Sequence, residues 1–374
     1  MRNNLIKLLK ILSAMITWLL IKVPHRKKYY IFSSKYGFTD NTKYLFLYYL
    51  KQGHHCVWVS SDQTCYQDVK YIIKDSPHSK VVKRNSGLLL IILARAKYIF
   101  VTHSLFDLAV FSVKSCPVVN LWHGIPIKKM GYDSNNDIAL LSLNYSNPYT
   151  INDFVISSSE ATKPFLVSCM NIQSAKVLPL GQPRNDFLYQ NKNNDALINK
   201  LKACYSEKNN SKVFVYAPTF RDHGDTSLLI YRDLITSFSK NAQESDMLIL
   251  RLHPKERELV SGIALPSNVA LSLISDVQEE LLIADVLISD YSSIILDFSI
   301  LSRPIILYTP DKDNYFANRG GSYFNYNDII QGCVHVNNSE LNSTWQKKLK
   351  SSSINTQLNL HVPNSCKALY DRFN

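Results

Sequence analysis

What most constrains the fold of this chain is its alternation of short, strongly apolar runs with stretches of helical spacing. Tyr29–Phe32, Cys56–Ser60, Tyr98–Thr102, Val118–Trp122, Phe154–Ser158 and Lys176–Leu180 are rich in β-branched and aromatic residues and too short for helices, so they read as buried strands. Thr42–Lys51, Leu88–Ala96 and Ala161–Cys169 carry helical patterns between them. A second series follows at Val213–Ala217, Met247–Arg251, Val269–Leu273, Val286–Ser289 and Ile305–Tyr308, with helices expected at Val277–Ile283 and Ser293–Leu301. Alternating β and α units imply parallel sheets covered by helices on both faces. The polar stretch Gln190–Asn199 separates the two series, and 374 residues are more than one core comfortably organises. The expectation is an α/β protein with two doubly wound domains, at 29–195 and 196–374. Ligands of such a pair bind beyond the C-terminal ends of the strands, in the cleft between the halves.

Residues 1–28 stand apart. Leu5 to Val23 is apolar and runs into the basic cluster His25-Arg26-Lys27-Lys28. Wound as a helix, it sets Lys7, Lys10, Ser13 and Thr17 on one face, with Leu8, Leu12, Met15 and Leu19 among the rest. That pattern fits an amphipathic helix lying in the plane of an anionic membrane surface, on its cytoplasmic side. A transmembrane span would be interrupted by Lys7 and Lys10, and a signal peptide would need a small-residue cleavage site. A soluble packing helix is the plain alternative. The formal net charge of +12 points to anionic partners. Seven scattered cysteines with no C-x-x-C pair argue against a disulfide framework or a zinc site, and for a reducing compartment.

Chemistry in a doubly wound fold belongs just after the strands, and the unusual residues stand there. Val118–Trp122 is followed by His123-Gly124-Ile125-Pro126-Ile127-Lys128. Gly124 allows a sharp turn and His123 is suited to take a proton near neutral pH; a structural hydrogen bond is the plain reading of such a histidine. Met247–Arg251 leads to His253-Pro254, pairing the Arg251 guanidinium with a second imidazole. Tyr216-Ala217-Pro218-Thr219-Phe220-Arg221-Asp222 and Gly181-Gln182-Pro183-Arg184-Asn185-Asp186 end two further strands. Ser289-Asp290-Tyr291-Ser292-Ser293 turns from a strand into a helix, where free backbone N–H groups, hydroxyls and the helix dipole suit a phosphate, or where the serines only cap. Neither a carboxylate cluster nor a D-x-D-like metal site lies between the histidine motifs, and no aromatic-rich basic stripe of the nucleic-acid kind is present.

Taken in order, Trp122-His123-Gly124-x-Pro126-x-Lys128, Gly181-x-Pro183-Arg184-x-Asp186, Tyr216-Ala217-Pro218-Thr219-x-Arg221-Asp222, Arg251-x-His253-Pro254 and Ser289-Asp290-Tyr291-Ser292-Ser293 resemble the CDP-glycerol glycerophosphotransferase family, the teichoic acid primases and polymerases. The resemblance runs from about residue 29 to about 325, and Ser33-x-x-Tyr36-Gly37-x-x-Asp40-Asn41 is similar to that family's opening, although Thr42 stands where a proline is usual. It implies a GT-B-type architecture of two facing Rossmann-like domains, the first on the acceptor side and the second binding the CDP donor. It implies transfer of an alditol phosphate from CDP-glycerol or CDP-ribitol to a hydroxyl of a polyprenyl-linked acceptor or growing polymer, with release of CMP and no required cofactor or metal. By the same resemblance His123 is the general base, and His253 contacts the donor pyrophosphate. Ser292, Ser293, Thr219, Arg221, Arg251 and Asp290 then bind donor phosphates or nucleotide. Asp297 either faces the ribose or braces the loop, and Lys128 and Arg184 are candidate acceptor or phosphate contacts. Two other classes stay open: a GT-B glycosyltransferase using a nucleotide sugar, and a non-enzymatic fold that binds an anionic polymer or nucleic acid. Nucleic acid is not expected as a partner.

Overall fold

A computed structural model describes residues 27–110, 113, 116–141, 147–205, 212–221, 224–260, 262–311, 321–324, 333–337, 339–352, 354 and 360–374. The expected amphipathic segment therefore lies, but for its last two residues, outside the described residues, as does Asp222. The chain divides into two compact units. One comprises the residues up to His123, Gly131–Phe187 and the C-terminal residues from Leu360; the other comprises Gly124–Met130 and the residues from Leu188 to 359.

In the first unit β1 (Tyr29–Phe32), β2 (Cys56–Ser60), β3 (Lys80–Lys83), β4 (Ala96–Val101), β5 (Val118–Asn120), β6 (Phe154–Ile156) and β7 (Val177–Leu178) form one sheet in the order β3-β2-β1-β4-β5-β6-β7. Every pairing is parallel. The crossovers include α1 (Asp40–Lys51), α2 (Gln63–Ile72), α3 (Gly87–Ala94), α4 (Asn135–Leu141) and α5 (Lys163–Met170), and α6 (Pro183–Asn191) follows the last strand. Because strand side chains alternate, Tyr30 and Phe32 enter an aromatic core with Tyr49, Trp58 and Phe100. Ile31 faces the other way, into an aliphatic core with Val57, Val59 and Ile99. Each such large side chain taken wholly out of water contributes about 1.5–3 kcal/mol, which explains why these continuous apolar runs can only be central strands. The C-terminal helix Ser365–Phe373 returns to this unit and delivers Cys366, Leu369 and Phe373 to the aromatic core. The domain expectation had placed these residues with the second half.

In the second unit β8 (Val213–Tyr216), β9 (Met247–Leu250), β10 (Val269–Leu271), β11 (Val286–Ser289), β12 (Ile305–Tyr308) and β13 (Val334–Val336) form an all-parallel sheet in the order β10-β9-β8-β11-β12-β13. Its helices include α7 (Asp195–Lys202), α8 (Gly224–Asn241), α9 (Pro254–Val260), α10 (Val277–Ile283) and α11 (Ile294–Phe298). Tyr231, Leu234 and Phe238 of α8 pack on Phe214, Tyr216, Leu248 and Ile288. The two units are thus parallel-sheet α/β domains of Rossmann order. In each, the chain winds outward in both directions from a central pair, β1 beside β4 and β8 beside β11, and a crevice opens at the C-terminal ends of that pair. Among the described residues no helix is long and apolar enough to cross a membrane.

Candidate functional site

In the first unit, β5 stops at Asn120, earlier than the apolar run predicts, because the chain must turn. Trp122 adopts φ +58° and Gly124 φ +142°. A left-handed tryptophan costs on the order of 1–2 kcal/mol, so its surroundings must hold it. Asn120 Oδ1 accepts the Trp122 N–H at 2.9 Å, and the wholly buried Asn41 donates from Nδ2 to the carbonyls of Trp122 (2.9 Å) and Leu121 (3.2 Å). Asn41 Oδ1 in turn accepts the Arg184 N–H at 3.1 Å. The Arg184 guanidinium donates to the His123 carbonyl at 2.9 Å and pairs with Asp40 at 3.0 Å. The structure therefore brings Arg184 to His123, as a brace of its loop. Asp40 and Asn41, from the opening motif, complete that brace.

The His123 ring lies face to face with His103, which follows β4, at a centroid distance of 4.0 Å and an interplanar angle of 6°. Trp122 covers it at 4.2 Å. His123 Nδ1 stands 3.2 Å from the Thr102 carbonyl. A carbonyl only accepts, so Nδ1 carries the proton and Nε2 keeps its lone pair. Burial holds the imidazole below its ordinary value; the Asp40 carboxylate and the Thr102 carbonyl oppose that, and Arg184 and Lys35 add to it. Part of the residue stays open to solvent. The result is a partly exposed imidazole, held toward its neutral form, directly after β5.

In the second unit the loops after β8 and β11 are tied together. Asp290, fully buried, accepts the N–H groups of Thr219 (2.8 Å) and Tyr291 (2.6 Å) and pairs with Arg221 at 2.9 Å. Arg221 grips Asp311 with two bonds of 2.7 and 3.0 Å and donates to the Thr219 carbonyl at 3.0 Å. Despite burial, these carboxylates hold its guanidinium above the usual range, so it stays charged. The resemblance implied phosphate contacts from Arg221 and Asp290; in the structure their polar atoms join the loops to each other. Arg251 likewise turns to the buried Glu280 (3.0 Å), Ser272 Oγ (3.0 Å) and the Ser275 carbonyl (2.7 Å). Asp297, nearly buried, accepts from Gln278 Nε2 at 3.4 Å, which ties α11 to α10 and corresponds to the bracing alternative.

The residues left facing the crevice are fewer. The His253 ring sits 4.7 Å from that of Phe220, beside Thr219, and its Nδ1 accepts the Lys255 N–H at 3.3 Å. The Thr219 hydroxyl is enclosed and makes no hydrogen bond. Ser292 Oγ accepts the Ile294 N–H at a long 3.4 Å, and Ser293 stands at the start of α11 without a side-chain cap. Lys128 belongs to a segment whose backbone runs antiparallel to Ser322, with Tyr323 N–H bonding the Ile127 carbonyl at 2.9 Å. Sequence reasoning missed Thr102, His103, Asp107, Glu280 and Asp311. Their one available signal is a polar residue placed directly after, or beside, an apolar run. Among the described residues no group of three or more His, Cys, Asp or Glu is placed to hold a metal ion.

The profile of the family described as CDP-Glycerol:Poly(glycerophosphate) glycerophosphotransferase matches residues 15–366. The chain belongs to that family. Its curated relatives include a teichoic acid poly(glycerol phosphate) polymerase of Bacillus spizizenii, 28% identical over 332 residues, which cover 83% of this chain and 81% of the relative. A teichoic acid ribitol-phosphate primase of the same organism is 28% identical over 230 residues, 59% of this chain and 58% of the relative. The chain spans about half the length of two other glycerol-phosphate polymerases it matches. Among solved structures it is similar to a histidine variant of the wall teichoic acid polymerase TagF soaked with CDPG. The TM-score is 0.74 at 23% identity, covering 99% of this chain and 90% of that one. At that identity the likeness shows the fold.

Proposed function

We propose that this chain transfers glycerol phosphate, or a related alditol phosphate, from a CDP-linked donor to a hydroxyl of a lipid-linked acceptor or growing polymer in teichoic-acid-like or capsular polymer synthesis. The observation that carries this reading is the neutral His123, with Nδ1 engaged by the Thr102 carbonyl and Nε2 left as a base. Nε2 takes the acceptor's proton as the acceptor oxygen bonds to the phosphorus that bears the alditol. The phosphoanhydride bond breaks and CMP leaves with the bridging oxygen. Such a transfer needs positioning and charge stabilisation more than covalent help. The donor is assigned to the second unit: Ser292 and Ser293 offer hydroxyls and backbone N–H groups to its phosphates, Thr219, whose N–H is held by Asp290, remains a candidate contact through its hydroxyl alone, and His253 supports the departing CMP. Arg221, Arg251, Asp290 and Asp297 act one step back, by shaping the loops. Arg184 does the same for His123, and Lys128 remains a candidate phosphate contact.

The net charge of +12 suits a polyanionic product and an anionic membrane surface. Residues 1–28 are assigned to peripheral attachment at the cytoplasmic face. Deleting residues 1–23 should release the protein from anionic vesicles while activity on a soluble acceptor analogue persists; retained vesicle binding would refute the assignment. The deciding experiment for the reaction is CMP release from CDP-glycerol and CDP-ribitol with a lipid-linked acceptor. His123→Ala is expected to lower turnover by about 10²–10⁴-fold while donor affinity stays near wild type. Release from neither donor by folded wild-type protein would shift the reading to a nucleotide-sugar glycosyltransferase.

A further inference from the structure

The segment Thr102-His103 lies outside every motif singled out in the sequence, yet it occupies the end of β4, beside β1 where the first sheet reverses its winding. One residue, Thr102, anchors two imidazoles. Its carbonyl faces His123 Nδ1 at 3.2 Å, and its hydroxyl lies 2.9 Å from His103 Nδ1. The hydroxyl also reaches Asp107 Oδ2 at 3.2 Å, and the same carboxylate oxygen accepts the N–H groups of Thr102 (3.1 Å) and His103 (3.0 Å). With its one hydrogen given to Asp107, the hydroxyl must accept from His103. Both rings therefore carry their proton on Nδ1, and they lie parallel at 4.0 Å.

We propose that His103 is a positioning residue for the transfer: its ring, stacked on His123 and hung with it from Thr102, keeps His123 in the orientation and tautomer that leave Nε2 free for the acceptor hydroxyl. The inference rests on the reading of His123 as the base. Two parallel imidazoles at 4.0 Å cannot both be charged without strong repulsion, so at most one of them takes a proton. The charged groups around it are the Asp40–Arg184 pair, Lys35 after β1 and Asp107 below Thr102, with the Tyr36 ring edge-on to His103 at 5.5 Å. Burial drives His103 down to about 2, with His123, Lys35 and Arg184 acting in the same direction. His103 thus stays neutral wherever the enzyme works, and its contribution is a ring surface that excludes water from His123.

The test uses the full chain with 15N-labelled histidine, following the tautomer and titration midpoint of His123 by NMR beside the pH profile of CMP release. His103→Asn keeps a partner for the Thr102 hydroxyl but removes the stacked ring. It should raise the His123 midpoint by about one pH unit, introduce the Nε2–H tautomer and move the acidic limb of kcat with it, with KM for the donor little changed. His103→Phe restores the ring without the hydrogen bond and should leave the midpoint near the wild-type value. A His103→Asn protein whose His123 tautomer and midpoint match wild type overturns the proposal, as does a midpoint raised equally in His103→Phe. Loss of melting temperature in both variants with neither midpoint moved also overturns it, since His103 would then be purely structural. The tautomer and midpoint readouts do not depend on turnover. An active His123→Ala enzyme would sink the base assignment separately.

Discussion

At the scale of single residues, the structure separates groups that carry charge from groups that are free to use it. Arg221 is the clearest case. It was legible as a cation at a strand end, but its partners Asp290 and Asp311 arrive from distant parts of the chain. Removing the guanidinium by Arg221→Ala strands two carboxylates, one of them fully buried, and should cost about 3–5 kcal/mol of stability, read as the shift of a urea unfolding midpoint. Ser292→Ala combined with Ser293→Ala should behave in the opposite way. Among the described residues the only side-chain bond of the pair is the long one from the Ile294 N–H to Ser292, so stability should change by no more than about 0.5 kcal/mol while donor KM rises severalfold. Equal destabilisation by the two sets of substitutions would contradict this division between frame and ligand contacts.

At the scale of elements, the motif Gly181-x-Pro183-Arg184-x-Asp186 shows how a sequence signature can serve a helix far along the chain. Asp186 accepts the N–H groups of Ser365 (2.9 Å) and Cys366 (2.7 Å), taking up two of the free donors at the start of the C-terminal helix. Gly181, at φ +83°, passes so close that an added Cβ would lie 2.1 Å from Ser365 Oγ and 2.7 Å from the Val362 carbonyl. Asp186→Ala should therefore destabilise the unit by about 1–3 kcal/mol, and Gly181→Ala by more than about 1 kcal/mol. Both should accelerate amide hydrogen exchange across Ser365–Phe373; unchanged protection there would refute the docking role. The central strands β1, β2, β11 and β12 match the apolar runs residue for residue, because a strand buried on both faces leaves an unbroken signature. β3 and β13 escaped notice. They are edge strands of four and three residues with exposed positions, so nothing compels them to be apolar.

At the scale of the whole molecule, several histidines are held neutral by folding, and this sets a pH dependence. Burial lowers His103, His123, His54 and His55 below the ordinary imidazole value. The unfolded chain therefore binds more protons than the folded one below about pH 6.5, the free histidine value, and stability rises with pH in that range. The associated stability is present at neutral pH and is lost progressively as pH falls below about 6.5. Melting temperature should drop between pH 7 and pH 5.5 in low-salt buffer. His103→Phe, which removes one of these sites, should flatten the decline, and a melting temperature independent of pH over that interval would refute the account.

Much of this was settled by the sequence alone. Alternating apolar runs require parallel sheets, because only strands covered on both faces are apolar throughout. The order of polar strand ends places His123, Thr219, His253 and Ser292 at the crevices before any coordinate is known. The role of each polar group was decided only in three dimensions. A guanidinium or carboxylate reads the same in sequence whether it meets a ligand or another buried charge. Pairing across 69 residues for Arg221 and Asp290, or 144 for Arg184 and Asp40, leaves no local trace. Tertiary contact alone turned Asp290 into a bracket, Asp186 into a helix cap, and Thr102 into the common anchor of two histidines. Long-range burial makes an unpartnered charge too costly to keep, so the partner a fold supplies determines what each residue is free to do.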